Sequence, residues 1–484
     1  MLFNSWQFAV FFVVVFGTYL CLSSYRHQNA LLLGASYYFY AAWDWRFLAL
    51  LLSSTLLDYV CALRIDGSEN PRVRRAFLVA SITGNLSLLG FFKYCDFFLG
   101  SLEALLRQFG VSAPALRLDI VLPVGISFYT FQEMSYTIDV YRREIRATRS
   151  LLDFATFVAF FPHMVAGPIM RASTLLRQLM GPRNITHESL GTGLWLIFWG
   201  LWKKVLIADN LSAIADPIFA QSVSVTSGMA YLGVLAFAFQ IYCDFSAYSD
   251  IARGLARLMG IELMQNFNLP YFAVNPIDFW RRWHISLSQW LRDYLYVPLG
   301  GNRGSQAKTY RNLALTMVLG GLWHGAAWNF VWWGAYHGAL LIGYRLLRDA
   351  SGVASKAGSA WSQVISIVVM FQFTLFGWLL FRSTRTLTGA DGRPVDDSYR
   401  QIVEMLLSFR NGLGLNGEFL DVLTRIAAFC LPLLLIQVIQ YRTDDQFAVL
   451  RLPRPALGAM VAALALSWML WGVQAGGAFI YFQF

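Results

Sequence analysis

Two of the chain's six histidines sit where chemistry is plausible. His284 lies in NPIDFWRRWHISLSQWLRDYLYVPLGGNRG and His324 in GGLWHGAAWNFVWWGAYHG, each inside a dense island of aromatic and polar residues. An imidazole, with a reference pKa of about 6.5, can serve as a base at neutral pH. Two of them without zinc-like spacing suit proton transfer or acyl transfer. They are 40 residues apart, so the fold must bring them together. A lone histidine among apolar residues is more often a structural hydrogen-bonding group. That reading is taken for His163 in FFPHMVAGP, while His27 and His187 lie in loop-like text.

The same stretch carries cations. Arg281, Arg282 and Arg292 could grip phosphates, either of lipid headgroups or of a phosphorylated donor. Trp280 and Tyr294, with Trp283, Trp290 and Tyr296, have apolar bodies and polar edges that suit headgroup depth. Asn275-Pro276-Ile277-Asp278 supplies turn and cap residues for a helix at about 277–295, which Pro298 and Gly300-Gly301 then stop. Another polar stretch, QIYCDFSAYSD at 240–250, places Asp244 and Asp250 in otherwise apolar text with no basic residue nearby until Arg253. Such groups are either hydrogen-bonded to neighbouring helices or in contact with substrate. GxxxxGK[ST], GxSxG and HExxH are absent, which weakens ATP-driven transport, serine hydrolysis and zinc proteolysis. The five cysteines are scattered without a CxxC, so neither a disulfide framework nor a metal site is expected.

The elements that must position these residues are membrane helices. Of 484 residues, 57% are hydrophobic and only 14% charged, against about 45–50% and about 25% in ordinary soluble proteins. Mean hydropathy is +0.50. So few charges cannot clothe a water-soluble body of this size, and the apolar segments run continuously instead of alternating, which disfavours a β-barrel. The expected class is an all-α polytopic membrane protein. Apolar segments recur from 6–24 to 456–475, including 120–140, 152–168, 311–331 and 331–348, with about eleven true crossings expected and some segments re-entrant or amphipathic. The first is read as a spanning helix, not a cleaved leader, because MLFNSWQ carries no Lys or Arg. The net charge of +10 is assigned to topology and not to nucleic acid. The basic stretches 64–75, 142–149 and 281–311 are expected in the cytoplasm and the balanced, Gly- and Asp-rich 383–400 outside. One membrane domain over 1–484 is the simplest division, with a catalytic core at about 120–345 and further helices at about 360–484.

The two histidine islands, together with LLLGASYYFYAAW at 31–43, LPVGISFYTFQEMSYTIDVYR at 122–142, FVAFFPHMVAGPIMR at 157–171 and FQIYCDFSAYSDIARGLARLMG at 239–260, resemble the membrane-bound O-acyltransferase family, and within it the bacterial polysaccharide O-acetylation branch. The resemblance covers most of residues 1–345. The final third matches only in hydropathy. The resemblance implies a many-helix fold around a tunnel through thinned membrane, in the bacterial inner membrane. It implies that acetyl is taken from a cytoplasmic thioester, acetyl-CoA or an acyl carrier, with no bound cofactor, and passed towards an exported polysaccharide, with a periplasmic SGNH-type acetyltransferase as partner. The family's near-invariant histidine maps onto His324 in WHG and its second onto His284 in RRWHISLS.

On that reading His324 is the general base towards an acceptor hydroxyl. His284, Asn302 or Trp323 would stabilise the oxyanion. Arg281, Arg282 and Arg292 would hold the donor's phosphates, and Asp244, Trp280 and Tyr294 would contact substrate. The reading requires that the His324 ring be reachable from an aqueous compartment. The rivals are D-alanyl transfer from a carrier protein to teichoic acid, a small-molecule transporter using the same polar islands, and a non-catalytic scaffold for a polysaccharide synthase.

Overall fold

The computed structural model describes residues 1–110, 118–351, 359–388, 394–473, 477 and 479–480. They form helices joined by short turns, with one antiparallel ribbon, β1 (Thr386–Thr388) and β2 (Pro394–Asp396), pairing Leu387 with Val395. Asp391 and Arg393 of the segment expected outside lie beyond the described residues. The chain divides into two compact units, one of residues 1–198 and 248–265, the other of residues 199–247 and 266–484.

The first unit holds α1 (Trp6–Leu20), α2 (Tyr25–Asp44), α3 (Leu48–Asp66), α4 (Pro71–Leu89), α5 (Cys95–Gln108), α6 (Ile126–Tyr141), α7 (Leu151–Ala159), α8 (Ala172–Leu179) and the first part of α9 (His187–Trp202). Starts follow local chemistry. Ser5, Asn70 and Ser150 each accept a backbone N–H of the first turn with their side chains, and Pro71 stands at the first helical position. Polar residues one helical turn apart build a buried seam between α3, α4 and α6. Ser54 and Thr55 donate to Glu133 at 3.2 and 3.0 Å, Asn85 donates to Asp58 at 2.5 Å, and the Ser81 and Thr137 hydroxyls lie 2.8 Å apart. An isolated polar group in hydrocarbon is costly, so these helices satisfy one another. His163 is buried in this unit beside Phe160.

The second unit takes the end of α9 and then α10 (Asp209–Ala220), most of α11 (Ser227–Leu258), α12 (Pro276–Arg282), α13 (Ile285–Leu291), α14 (Gln306–His324), α15 (Trp328–Ser351), α16 (Ala360–Arg382), α17 (Ser398–Leu406), α18 (Gly417–Thr443) and α19 (Arg454–Trp471). The expected helix at 277–295 is two seven-residue helices, broken at Trp283-His284. Asn275 caps the first, its side chain accepting the Asp278 N–H at 2.9 Å, as the Asn-Pro-x-Asp pattern implied. Helices α14 and α15 form a hairpin whose backbones nearly touch. A Cβ on Gly321 would lie 2.2 Å from the Phe330 carbonyl oxygen, and one on Gly334 would lie 2.3 Å from that of Met317. Only glycine permits this approach.

Among the described residues, seven stretches are long and apolar enough to cross a bilayer, together with the shorter apolar Trp6–Leu20. One of them, Tyr25–Asp66, runs 42 residues and is broken at Trp45–Phe47; about 20 residues suffice for a crossing. The expected count of about eleven is not reached by this measure. The difference lies in segments such as α6, α7, α14 and α15, which are too short or too polar for a lipid-exposed crossing.

Candidate active site

His324 is the last residue of α14 and His284 is the break between α12 and α13. The fold brings their rings to a centroid distance of 6.2 Å. Both are almost fully buried, at 4% and 0% exposure. The backbone of His284 is left-handed, with φ of 41° and ψ of 57°. A non-glycine residue holds that conformation only where its surroundings impose it. The imposing residue is Asn266. Its Oδ1 lies 3.2 Å from His284 Nδ1 and accepts from the Ser286 N–H at 3.2 Å and the Ser286 hydroxyl at 2.9 Å, while its backbone oxygen accepts the Ile285 N–H at 2.9 Å. With Oδ1 as acceptor, Nδ1 carries the proton of the neutral ring, and Nε2 is left as the basic nitrogen.

A cage of rings encloses His324. Trp323 stands at 5.2 Å, Trp333 at 5.0 Å and Phe381 at 5.5 Å, all edge-on. Phe381 comes from α16, and Trp333 from α15. Aromatic walls exclude water and sharpen any electrostatic interaction made inside.

Two cavities lie near these residues, and His324 lines neither of them. The first, of about 430 Å³, is lined by Trp280, Arg281, Gln289, Arg292, Tyr296 and Arg345, over an apolar floor that includes Ile277, Ile285, Leu291, Leu313, Met317 and Leu341. Trp280 packs against Trp333 at 5.7 Å, and Trp333 against His324. The second cavity, of about 400 Å³, is lined by Lys204, Asp209, Asp216, Gln240, Asp244 and Arg382, among others. Arg382 follows Phe381, which touches His324.

The sequence-named residues therefore separate. His284, His324 and Trp323 share one cage; Trp280, Arg281 and Arg292 line the first cavity. Arg282 does not. Its guanidinium donates to Asp278 at 2.9 Å and lies over the Tyr441 ring. Tyr294 is buried against Trp290 at a centroid distance of 5.2 Å and lines neither cavity. Asn302 must be corrected. It is exposed, and the carbonyl of its neighbour Gly301 accepts from Asn312, twelve residues before His324 on α14, a separation of about 18 Å at 1.5 Å per residue. It cannot hold an oxyanion at His324.

Asp244 also changes meaning. No basic residue stands near it in sequence, but the fold brings one: Lys204, 40 residues earlier, bonds Asp244 at 2.6 Å and Asp209 at 2.9 Å. The other Asp244 oxygen accepts the Ile480 N–H at 2.6 Å. Asp244 is thus a charge-paired wall of the second cavity and not a neighbour of His324. Reasoning from sequence missed Lys204, Gln289, Arg345, Trp333 and Phe381. Trp333 could have been found from its spacing, nine residues after His324 on the returning helix of the hairpin. Nothing local marks the others.

Two histidines buried in one aromatic cage, in a helical protein with several stretches able to cross a membrane, define the class that comparison with known proteins then identifies. The chain belongs to the membrane-bound O-acyltransferase family. The family profile described as "MBOAT, membrane-bound O-acyltransferase family" matches residues 86–381. The chain is similar to the probable alginate O-acetylase AlgI of Azotobacter vinelandii, at 47% identity over 385 residues, covering 79% of this chain and 75% of the relative. It is 37% identical to the peptidoglycan O-acetyltransferase of Helicobacter pylori over 415 residues, covering 79% and 77%. The teichoic acid D-alanyltransferase of Bacillus subtilis is more distant, at 28% identity over 272 residues, covering 53% and 68%. The protein is a multi-pass membrane acyltransferase.

Proposed function

We propose that this protein is an O-acetyltransferase of the bacterial inner membrane, taking acetyl from cytoplasmic acetyl-CoA and delivering it across the membrane for O-acetylation of an exported polysaccharide. The names of the relatives favour a polysaccharide acceptor, and alginate first among them. The observation that carries the reading is the pairing of His324 with His284 in one aromatic cage, which Trp333 and Trp280 link to an arginine-lined cavity.

The first cavity suits the donor. Arg281, Arg292 and Arg345 present planar forks to phosphate oxygens. The apolar floor suits the thioester arm. Its basic surroundings agree with the cytoplasmic placement expected for 281–311. The second cavity, with Arg382 at the end of α16 paired to Asp216 of α10, suits a hydroxyl-rich acceptor or the loop of a periplasmic partner of SGNH-type chemistry. Coenzyme A is too charged to cross lipid, so a wall of rings that passes only acetyl meets the membrane's constraint.

His324 takes the proton of an acceptor hydroxyl as its oxygen adds to the thioester carbonyl, then gives that proton to the departing thiolate. His284, held by Asn266, orients the site. Replacing His324 by Ala is expected to abolish polymer acetylation in cells that make normal amounts of the protein, a loss of at least about a hundredfold. The measurement is ester content of the secreted polymer by base-released acetate. Undiminished ester would remove the proposal. Transport of an intact solute by purified protein, without cleavage of acetyl-CoA, would transfer the case to a transporter.

A further inference from the structure

Acyl transfer needs a component that the two histidines leave unfilled. When the acceptor oxygen adds, an electron pair moves from the carbonyl double bond onto oxygen. In a dry cage that oxyanion needs donors already in place. Asn302 is too far away, and Nδ1 of His284 faces Asn266.

Two other donors are at hand. Among the described residues, the indole N–H groups of Trp333 and Trp280, like that of Trp378, are buried without a hydrogen-bond partner. More than about nine in ten buried N–H groups in folded proteins are paired, so each exception needs an explanation. These two are adjacent, with ring centroids 5.7 Å apart. Trp333 is 1% exposed and stands edge-on to His324 at 5.0 Å. Trp280 lines the arginine-rich cavity. The two indoles thus form a chain of ring contacts from that cavity to His324. Both rings also pack against His337, at 5.2 Å for Trp280 and 4.7 Å for Trp333. The buried Nδ1 of His337 likewise has no hydrogen-bond partner among the described residues.

We propose that the indole N–H of Trp333, assisted by that of Trp280, is the oxyanion donor of the acyl transfer. The acceptor hydroxyl loses its proton to His324 and its oxygen bonds the carbonyl carbon. The carbonyl electron pair moves onto oxygen, where the indole N–H groups hold it. The pair then returns, the carbon–sulfur bond breaks, and the thiolate takes the proton from His324. Nothing is oxidised or reduced. Trp333 and Trp280 are then catalytic residues, and the assignment rests on the acetyltransferase reading above.

The test uses the full-length protein in isolated membranes, with acetyl-CoA as the probe and free thiol as the readout. Trp333→Phe keeps an aromatic ring and removes the N–H. It is expected to lower kcat about a hundredfold or more, the usual effect of removing one oxyanion donor, with KM little changed. Trp280→Phe is expected to cost about tenfold. A benzothienyl-alanine at position 333 keeps the indole's shape with sulfur in place of the N–H, and it decides the matter if Trp333→Phe fails to fold. Full kcat with the sulfur isostere would overturn the proposal and leave Trp333 as packing. Loss of kcat with an unchanged melting temperature would support it. A wild-type protein that releases no thiol would instead refute the acetyl-CoA reading, a result distinct from failure of the indole assignment.

Discussion

At the residue scale, the chemistry depends on how a strained histidine is held. His284 sits in the left-handed region because Asn266 captures its ring, the Ser286 N–H and the Ser286 hydroxyl with one oxygen and the Ile285 N–H with another. Removing that side chain leaves buried donors without an acceptor, at about 1–3 kcal/mol each, and releases the imidazole. Asn266→Ala is therefore expected to lower acetylation about a hundredfold, the scale of an ångström's misplacement at a reacting centre. The companion test is a double-mutant cycle with His284→Ala. Residues that act as one unit are non-additive, so the double variant should be no worse than the poorer single one. Losses that multiply would mean that Asn266 and His284 serve separate purposes.

At the element scale, the site depends on how closely α14 and α15 pack. Their hairpin sets His324 against Trp333, and its tightest points are Gly321 and Gly334. A methyl on Gly334 would lie 2.3 Å from the Met317 oxygen and 2.9 Å from the Val318 Cα, backbone atoms that cannot rotate aside. Gly334→Ala is expected to cost about 3 kcal/mol, the upper end of overpacking effects, seen as a lower melting temperature in detergent together with lost acetylation. An unchanged melting temperature would show that the hairpin yields freely. This scale also explains what was legible beforehand. The two histidine islands were recognisable because indoles, glycines and arginines crowd them within a few residues. The Asn275 cap and the membrane-helix character were legible for the same reason, since local composition decides both. Lys204 beside Asp244, Arg345 in the donor cavity and Phe381 over His324 were not, because each arrives from another helix and its own neighbours are ordinary apolar text. Asn302 was misplaced because its glycine-rich turn packs against Asn312, about three helical turns before His324.

At the scale of the whole molecule, the described residues of the segment expected outside are tied down by one charged knot. Arg385, just before β1, donates to Glu404 of α17 at 2.6 Å, to Asp397 at 2.7 Å and to Ser222, between α10 and α11, at 2.8 Å. Gln401 of α17 adds a bond to the Phe219 carbonyl at 2.9 Å. The knot thereby fastens α16, α17 and the α10–α11 turn together, close in sequence to Arg382 and Thr384 of the second cavity. It lies outside the membrane-crossing helices, in reach of water and of external pH. The hydrogen bond from Arg385 holds Glu404 below its ordinary value, with Ser222 adding to the effect and burial opposing it. A carboxylate depressed in the folded state contributes stability that is complete above its unfolded pKa, about 4.3 for glutamate. That contribution fades as pH falls from there through the folded value. Melting temperatures of the wild type and Glu404→Gln should therefore differ at pH 7 and converge below about pH 4. Because the knot is partly exposed, the difference should shrink in high salt, though less than for a free surface pair. A difference that did not shrink at all as pH fell below about 4 would mean that Glu404 acts through packing and not through its charge. The catalytic cage lies apart from the knot. Acetyl-CoA cleavage measured at neutral pH should accordingly survive the substitution, while delivery to an external acceptor, which needs the second cavity in shape, should fall.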